Sequence, residues 1–122
     1  MAAEQLRLLR GRKPKPPRES AVLRAVLDVL RLHGVWHSRL NTGAFKTNDG
    51  RFIRYGCGRG TADVLAIVRG RAVMIEVKRP GEKARPEQLA WGESVVRAGA
   101  VYRVISDPWE VVALLKELDG RG

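Results

Sequence analysis

The chain holds a single cysteine, Cys57, so no internal disulfide can form and no thiolate cluster can hold zinc within one chain. A reducing interior suits it, and the cytoplasm is the expected location. No run approaches the roughly 18 apolar residues of a membrane helix, and no apolar stretch with a small-residue cleavage site opens the sequence. Membrane association and export are therefore not expected. Aromatic residues make up only 6% of the chain, but 44% is hydrophobic, a balance that suits a packed globular domain. Acidic residues are scarce too, with 13 against 23 lysines and arginines, a formal net charge of +10. Such an excess draws a small domain to polyanions by neutralising phosphates and releasing counterions, which makes nucleic acid the expected partner; a basic surface serving only solubility is the bland alternative. No internal repeat, helix-turn-helix or zinc finger is present. Gly56-Cys57-Gly58-Arg59-Gly60 lacks the helix and fixed spacing of a phosphate-binding P-loop, although its backbone freedom lets a ligand come close.

At 122 residues the chain is expected to form one domain with a single core. Residues 1–18 read as a basic arm: Arg7, Arg10, Arg12, Lys13, Lys15 and Arg18 occur without an acidic residue after Gln5, and Pro14, Pro16 and Pro17 interrupt them. Such an arm contacts phosphate or stays a solubilising tail, and Leu6, Leu8 and Leu9 leave room for a short docking helix. From Glu19 to His33 the residues Val22, Leu23, Val26, Leu27, Val29, Leu30 and Leu32 follow a helical period, with Pro17 at the first turn and Gly34 at the stop. Val35 to Leu40 reads as a strand. Thr47-Asn48-Asp49-Gly50-Arg51 has hairpin-turn chemistry ahead of the strand Phe52 to Tyr55.

The runs Asp63 to Val68 and Ala72 to Val77 are short and largely β-branched, and Arg69-Gly70-Arg71 between them reads as a tight turn. With Arg69 and Gly70 as the loop residues, Val68 faces Arg71, Ala66 faces Val73, Val64 faces Ile75 and Asp63 faces Glu76. Lys78 then lies on the same strand face as Glu76. A loop one residue longer would turn one strand over. Two carboxylates in opposition repel, and a bound divalent cation would remove that cost. The same residues also fit a plain hairpin, with Asp63 capping the strand start and Glu76 and Lys78 on a solvated face. Against that, Val73, Met74, Ile75 and Val77 are apolar on both faces, as in a central strand, and a glutamate inside such a run needs a reason.

Further on, Pro80 and Gly81 break the strand, and Pro86 to Arg97 reads as a helix carrying Gln88, Trp91 and Val95. Ala100 to Ile105 is another buried strand. Asp107-Pro108-Trp109-Glu110 has the form of a capping box opening a last helix to about Leu118. Ile75 to Val101 makes a βαβ unit, so its two strands are expected to be parallel with a right-handed crossover. Trp36, Trp91 and Trp109 read as core or interface anchors, and Cys57 as a small filler in its turn. His33 and His37 stand at no recognised ligand spacing.

Asp63 followed by Glu76-Val77-Lys78 resembles the catalytic pattern of the PD-(D/E)XK nuclease superfamily. Within it, the chain from Glu19 to about Ile105 is similar to the virus-type replication-repair nuclease (VRR-NUC) family. Further matching stretches are Glu19 opening the first helix, Asn41-Thr42-Gly43, Gly60-Thr61-Ala62-Asp63, Gln88 on the following helix, and Gly99-Ala100-Val101-Tyr102. The superfamily's proline before the aspartate is here Ala62.

The resemblance implies a restriction-endonuclease-like α/β core, a central mixed sheet flanked by helices, over residues 19–118, with 119–122 as a C-terminal tail. It implies a Mg2+-dependent endonuclease hydrolysing DNA phosphodiester bonds, with Mn2+ able to substitute. Small members are similar to Holliday-junction resolvases, so branched or junction DNA, a homodimer and a place in repair, replication or recombination are the expectations that follow. Asp63, Glu76 and the main-chain carbonyl of Val77 would hold the metal. Glu19 would serve a second metal or its water, or simply complement the helix dipole. Lys78 would orient the attacking water or offset transition-state charge, and Gln88 would bond Lys78 or the scissile phosphate. Lys46, Arg54, Arg59 and Arg79 are candidates for backbone phosphates. A non-catalytic nucleic-acid-binding module, or a nuclease subunit of a larger restriction or replication assembly, is the competing reading.

Overall fold

In the computed structural model, which describes residues 15–40 and 42–120, the repeat of Val22, Leu23, Val26 and Leu30 becomes the buried stripe of helix α1 (Glu19–Leu32). Leu27 and Val29 pack at its margin, while Leu32 is exposed. Arg18 is the N-cap, so Pro17 precedes the helix and does not sit in its first turn. The basic arm lies outside the described residues as far as residue 14.

Strands β1 (Trp36–Arg39), β4 (Val64–Val68), β5 (Arg71–Val77) and β6 (Val101–Ile105) form the central sheet in the order β1-β4-β5-β6. The β1–β4 and β4–β5 pairs are antiparallel and β5–β6 is parallel, the mixed sheet that the βαβ reading implies. Between β4 and β5 the pairing Val68 with Arg71, Ala66 with Val73 and Val64 with Ile75 is the register counted from the sequence. Its cause is the turn: Arg69 and Gly70 have φ of 52° and 76°, and a two-residue loop with both φ values positive carries the twist that antiparallel strands need. Strands β2 (Thr42–Lys46) and β3 (Phe52–Gly56) pair only with each other, so this hairpin stands apart from the central sheet.

Helices α2 (Pro86–Arg97) and α3 (Pro108–Asp119) complete the chain. Alternation along β5 sends Val73, Ile75 and Val77 into one core with Val64, Ala66, Val101, Ile105, α1 and α3. The other face, with Met74, Glu76 and Tyr102, lies under α2, where Trp91 meets Tyr102 edge to face with ring centroids 6.1 Å apart. Two layers of helix therefore enclose β5, and each fully buried aliphatic side chain contributes about 1.5–3 kcal/mol.

Asp107 caps α3 by accepting from the Trp109 N–H at 2.9 Å, but the reciprocal half of the expected capping box does not form; Glu110 takes a bond from the Ser106 hydroxyl instead. The helix runs one residue beyond its expected end, and Asp119, assigned to the tail by the sequence reading, pairs with Arg69 at 3.1 Å. Trp36 and Trp109 are exposed, so they are not core anchors; only Trp91 is half-buried. No helix among the described residues is long and apolar enough to cross a membrane.

Candidate active site

Asp63 is held as though it were a strand residue. Its N–H donates to the Ile75 carbonyl at 3.0 Å, its own carbonyl accepts from the Leu40 N–H at 2.7 Å, and its Oδ2 accepts from the Val77 N–H at 2.7 Å. The side chain thus closes the end of the β4–β5 ladder and brings its carboxylate beside the next inward position of β5. That position is Glu76, only 2% exposed, with Lys78 at 7% following on the same face. Lys78 Nζ lies 3.9 Å from Glu76 Oε1, an ion pair at the limit of contact.

Helix α2 supplies the third fixed group. Gln88 is 5% exposed; its Oε1 accepts from the Arg85 N–H at 2.8 Å, the side-chain half of a capping box, and this turns its amide nitrogen toward Glu76 Oε1, also at 2.8 Å. The sequence reading placed Gln88 against Lys78 or a phosphate; its partner is Glu76. The helix can sit this close because the chain before Asp63 turns at Gly60, with φ of 83°, where a Cβ would lie 2.5 Å from the Glu87 carbonyl oxygen. Thr61 adds a hydroxyl bond to the Gly58 carbonyl.

These residues line a cavity of about 490 Å³ that brings together all five residues singled out as catalytic: Glu19, Asp63, Glu76, Lys78 and Gln88. Val77 points its side chain into the core and is not among the residues lining the cavity. Glu19 shares the cavity, yet among the described residues no three His, Cys, Asp or Glu side chains are close enough to share one ion. Glu82, Lys83 and Arg85 also line it and were missed. The signal for them was the charged loop between Pro80-Gly81 and Pro86, which leads from the end of β5 into α2.

Burial, followed by the neighbouring Asp63 charge, pushes Glu76 up from 4.5 to about 8, and Lys78 only partly opposes this. Tyr102, on the same sheet face, is pushed up to about 12 by burial and then by Glu76 and Asp63. Glu76 Oε2 is buried with no donor directed at it, and while Glu76 keeps its proton the Asp63 carboxylate is its hydrogen-bond partner, a bond that ionisation of Glu76 would break. A carboxylate oxygen left open beside a second carboxylate is a fitting ligand set for a hard cation, which takes oxygen donors.

The expected phosphate contacts divide. Arg79 is partly engaged within the fold: its Nε donates to the Pro17 carbonyl at 3.2 Å and pairs with Glu82 at 3.6 Å, so it ties the segment before α1 to the loop after β5 while its side chain stays partly exposed. Arg54 and Arg59 line a groove beside the cavity, and Lys46 is exposed on β2. His37 bonds the Val35 carbonyl through Nδ1, and neither it nor His33 lines the cavity.

No protein-family model and no curated protein matches the chain. Among solved structures, one described as a VRR_NUC domain is similar, with a TM-score of 0.58 and 24% identity, over 80% of this chain and 94% of that one. At that identity the likeness concerns the fold. The chain has the mixed α/β architecture of that domain, a central mixed sheet with three helices.

Proposed function

We propose that the protein is a metal-dependent nuclease that hydrolyses phosphodiester bonds in DNA. The observation that carries this reading is Glu76, a carboxylate buried in a central strand with Oε2 open, Asp63 beside it and Lys78 alongside. A module that only binds nucleic acid has no use for so costly a group, whereas a hard cation does. Asp63, Glu76 and the Val77 carbonyl would hold Mg2+, or Mn2+ in its place, with Glu19 near enough in the cavity to take a second ion or a water. When bound, the cation supplies Lewis acidity toward the phosphate and the attacking water.

The chain's own residues do the rest. Gln88 occupies Glu76 Oε1 and so leaves Oε2 for the ligand. Lys78 holds a positive charge at the point where negative charge grows on the phosphate. Water adds to phosphorus, one P–O ester bond breaks, and the leaving oxygen takes a proton. Arg54, Arg59 and Lys83 have no ion-pair partner among the described residues, and the excess of basic side chains favours a polyanionic substrate. Action on branched or junction DNA as a homodimer, in repair, replication or recombination, is the finer form of this reading.

The test is cleavage of labelled duplex, flap, single-stranded and four-way-junction DNA with Mg2+ or Mn2+. Glu76→Gln and Lys78→Ala should each lower the rate by about 10²-fold or more. Cleavage that persists in both, or none by the parent with either metal, would overturn the proposal. Sedimentation across concentrations tests the dimer.

A further inference from the structure

The β2–β3 hairpin has two chemically different faces. Its register, Lys46 with Phe52, Phe45 with Ile53, Ala44 with Arg54 and Gly43 with Tyr55, puts Lys46, Phe52 and Arg54 on one face and Phe45, Ile53 and Tyr55 on the other. On the second face Phe45 and Tyr55 pack against each other, ring centroids 6.3 Å apart. On the first, Phe52 has no ring partner among the described residues and is 67% exposed.

Phe52 and Arg54 line a groove of about 310 Å³ together with Cys57, Arg59, Gly60 and Arg85, and Tyr55, whose ring is engaged with Phe45, also reaches its edge. Gly60 and Arg85 also line the candidate active-site cavity, so the groove lies directly beside it. Arg85 shares its charge with Glu87 at 3.6 Å, whereas Lys46, Arg54 and Arg59 pair with no described acidic residue. Phosphate neutralisation alone would need only the cations. A free aromatic ring among unpaired cations matches a base and the phosphates flanking it. At the hairpin tip Thr47 and Arg51 both bond the Asp49 carboxylate, the latter at 3.0 Å, which ties the turn that precedes Phe52.

A continuous duplex can use such a ring only by unstacking a base step at a cost of about a few kcal/mol, whereas an unpaired base offers its face freely. We propose that this groove takes an unpaired nucleotide of DNA next to the scissile phosphate, with Phe52 as the stacking platform and Arg54 and Arg59 on the backbone. The substrate class is then DNA with a single-stranded or frayed segment. The proposal rests on the nuclease reading for the position of the scissile phosphate, but binding in the groove does not depend on cleavage.

The experiment is fluorescence anisotropy of the full chain in EDTA with a labelled single-stranded oligonucleotide, a splayed fork, a blunt duplex and an RNA of the same sequence. Phe52→Ala should weaken single-strand and fork binding about tenfold and duplex binding less than twofold. Phe52→Trp should retain affinity and show indole quenching on single strands beyond that of the parent. Circular dichroism confirms folding, which an exposed position should not disturb. Equal weakening on all DNA forms, no weakening on any, or tighter binding of the RNA overturns the proposal. If the parent cleaves while Phe52→Ala leaves strand preference intact, the groove proposal fails and the nuclease reading stands. If the parent cleaves nothing while Phe52 still sets the preference, the nuclease reading fails and the binding groove survives.

Discussion

On the face of β5 that meets α1 and α3, Val73, Ile75 and Val77 are sealed among other aliphatics; on the face beneath α2, Glu76 and Lys78 are nearly as deeply buried, with Gln88, Asp63 and each other for company. The same strand therefore contributes twice to the energetics, with opposite signs. Burial of the aliphatic face stabilises the fold. Burial of the ionisable face costs desolvation that a 3.9 Å ion pair and a single amide bond do not fully offset. The core face makes a destabilising site tolerable, and under the proposed function a bound cation would offset the cost on the site face.

The largest break in this comparison comes from the aliphatic side. Ile75→Ala should cost about 3–4 kcal/mol by urea denaturation, because a fully buried side chain in a central strand leaves a cavity that cannot collapse. A loss below about 1 kcal/mol would mean that the core face does not carry the strand.

A second experiment reads the ionisable face directly. Folded Glu76 keeps its proton up to about pH 8, whereas the unfolded chain releases it near 4.5. The folded state binds more protons across that window, so in EDTA this group's favourable contribution is complete below about 4.5 and is lost as pH rises to about 8. Glu76→Gln has no proton to lose. Its stability relative to the parent should rise across the same window, by on the order of 3 kcal/mol, and Mg2+ should stabilise the parent at high pH but not the variant. Parallel stability curves for the two proteins would remove the burial argument.

A smaller effect, about 2 kcal/mol, is expected for Gly60→Ala, where positive φ and the Glu87 carbonyl both oppose a side chain. Because this turn seats α2 over Glu76, Mg2+-dependent cleavage should fall further than stability alone explains. Unchanged cleavage would show that α2 holds its place without the turn.

What was legible in the sequence was local. Arg69-Gly70 sets the loop length, loop length sets the register, and the register sets Asp63 toward Glu76; the apolar run around Glu76 marks a central strand. Each step involves neighbours in the chain and a period of two. The partner of Gln88 was not legible in the same way, because it depends on how α2 is seated by the Gly60 turn and on the Arg85 N–H that rotates the amide. The bond of Arg79 was not legible for a related reason: it reaches back to Pro17, a contact made by the fold and not by the spacing. The sequence left core and interface open for the tryptophans, and position decides between them: Trp36 lies on an edge strand and Trp109 in the first turn of α3, so neither enters the core.

The bond from the Val77 N–H to Asp63 has a consequence for ion choice. It gives Oδ2 of Asp63 a backbone donor, as Gln88 gives Oε1 of Glu76 an amide donor, so under the proposed function the other oxygen of each carboxylate would be the freer ligand. Two monodentate carboxylates leave most of a coordination sphere to carbonyl, water and phosphate oxygens. Small octahedral ions that retain several waters suit that arrangement, while Ca2+, which takes more ligands and often grips a carboxylate by both oxygens, is poorly served. Under the proposed function, the backbone hydrogen bond that ends a β-ladder would thus also bias which metal the site accepts.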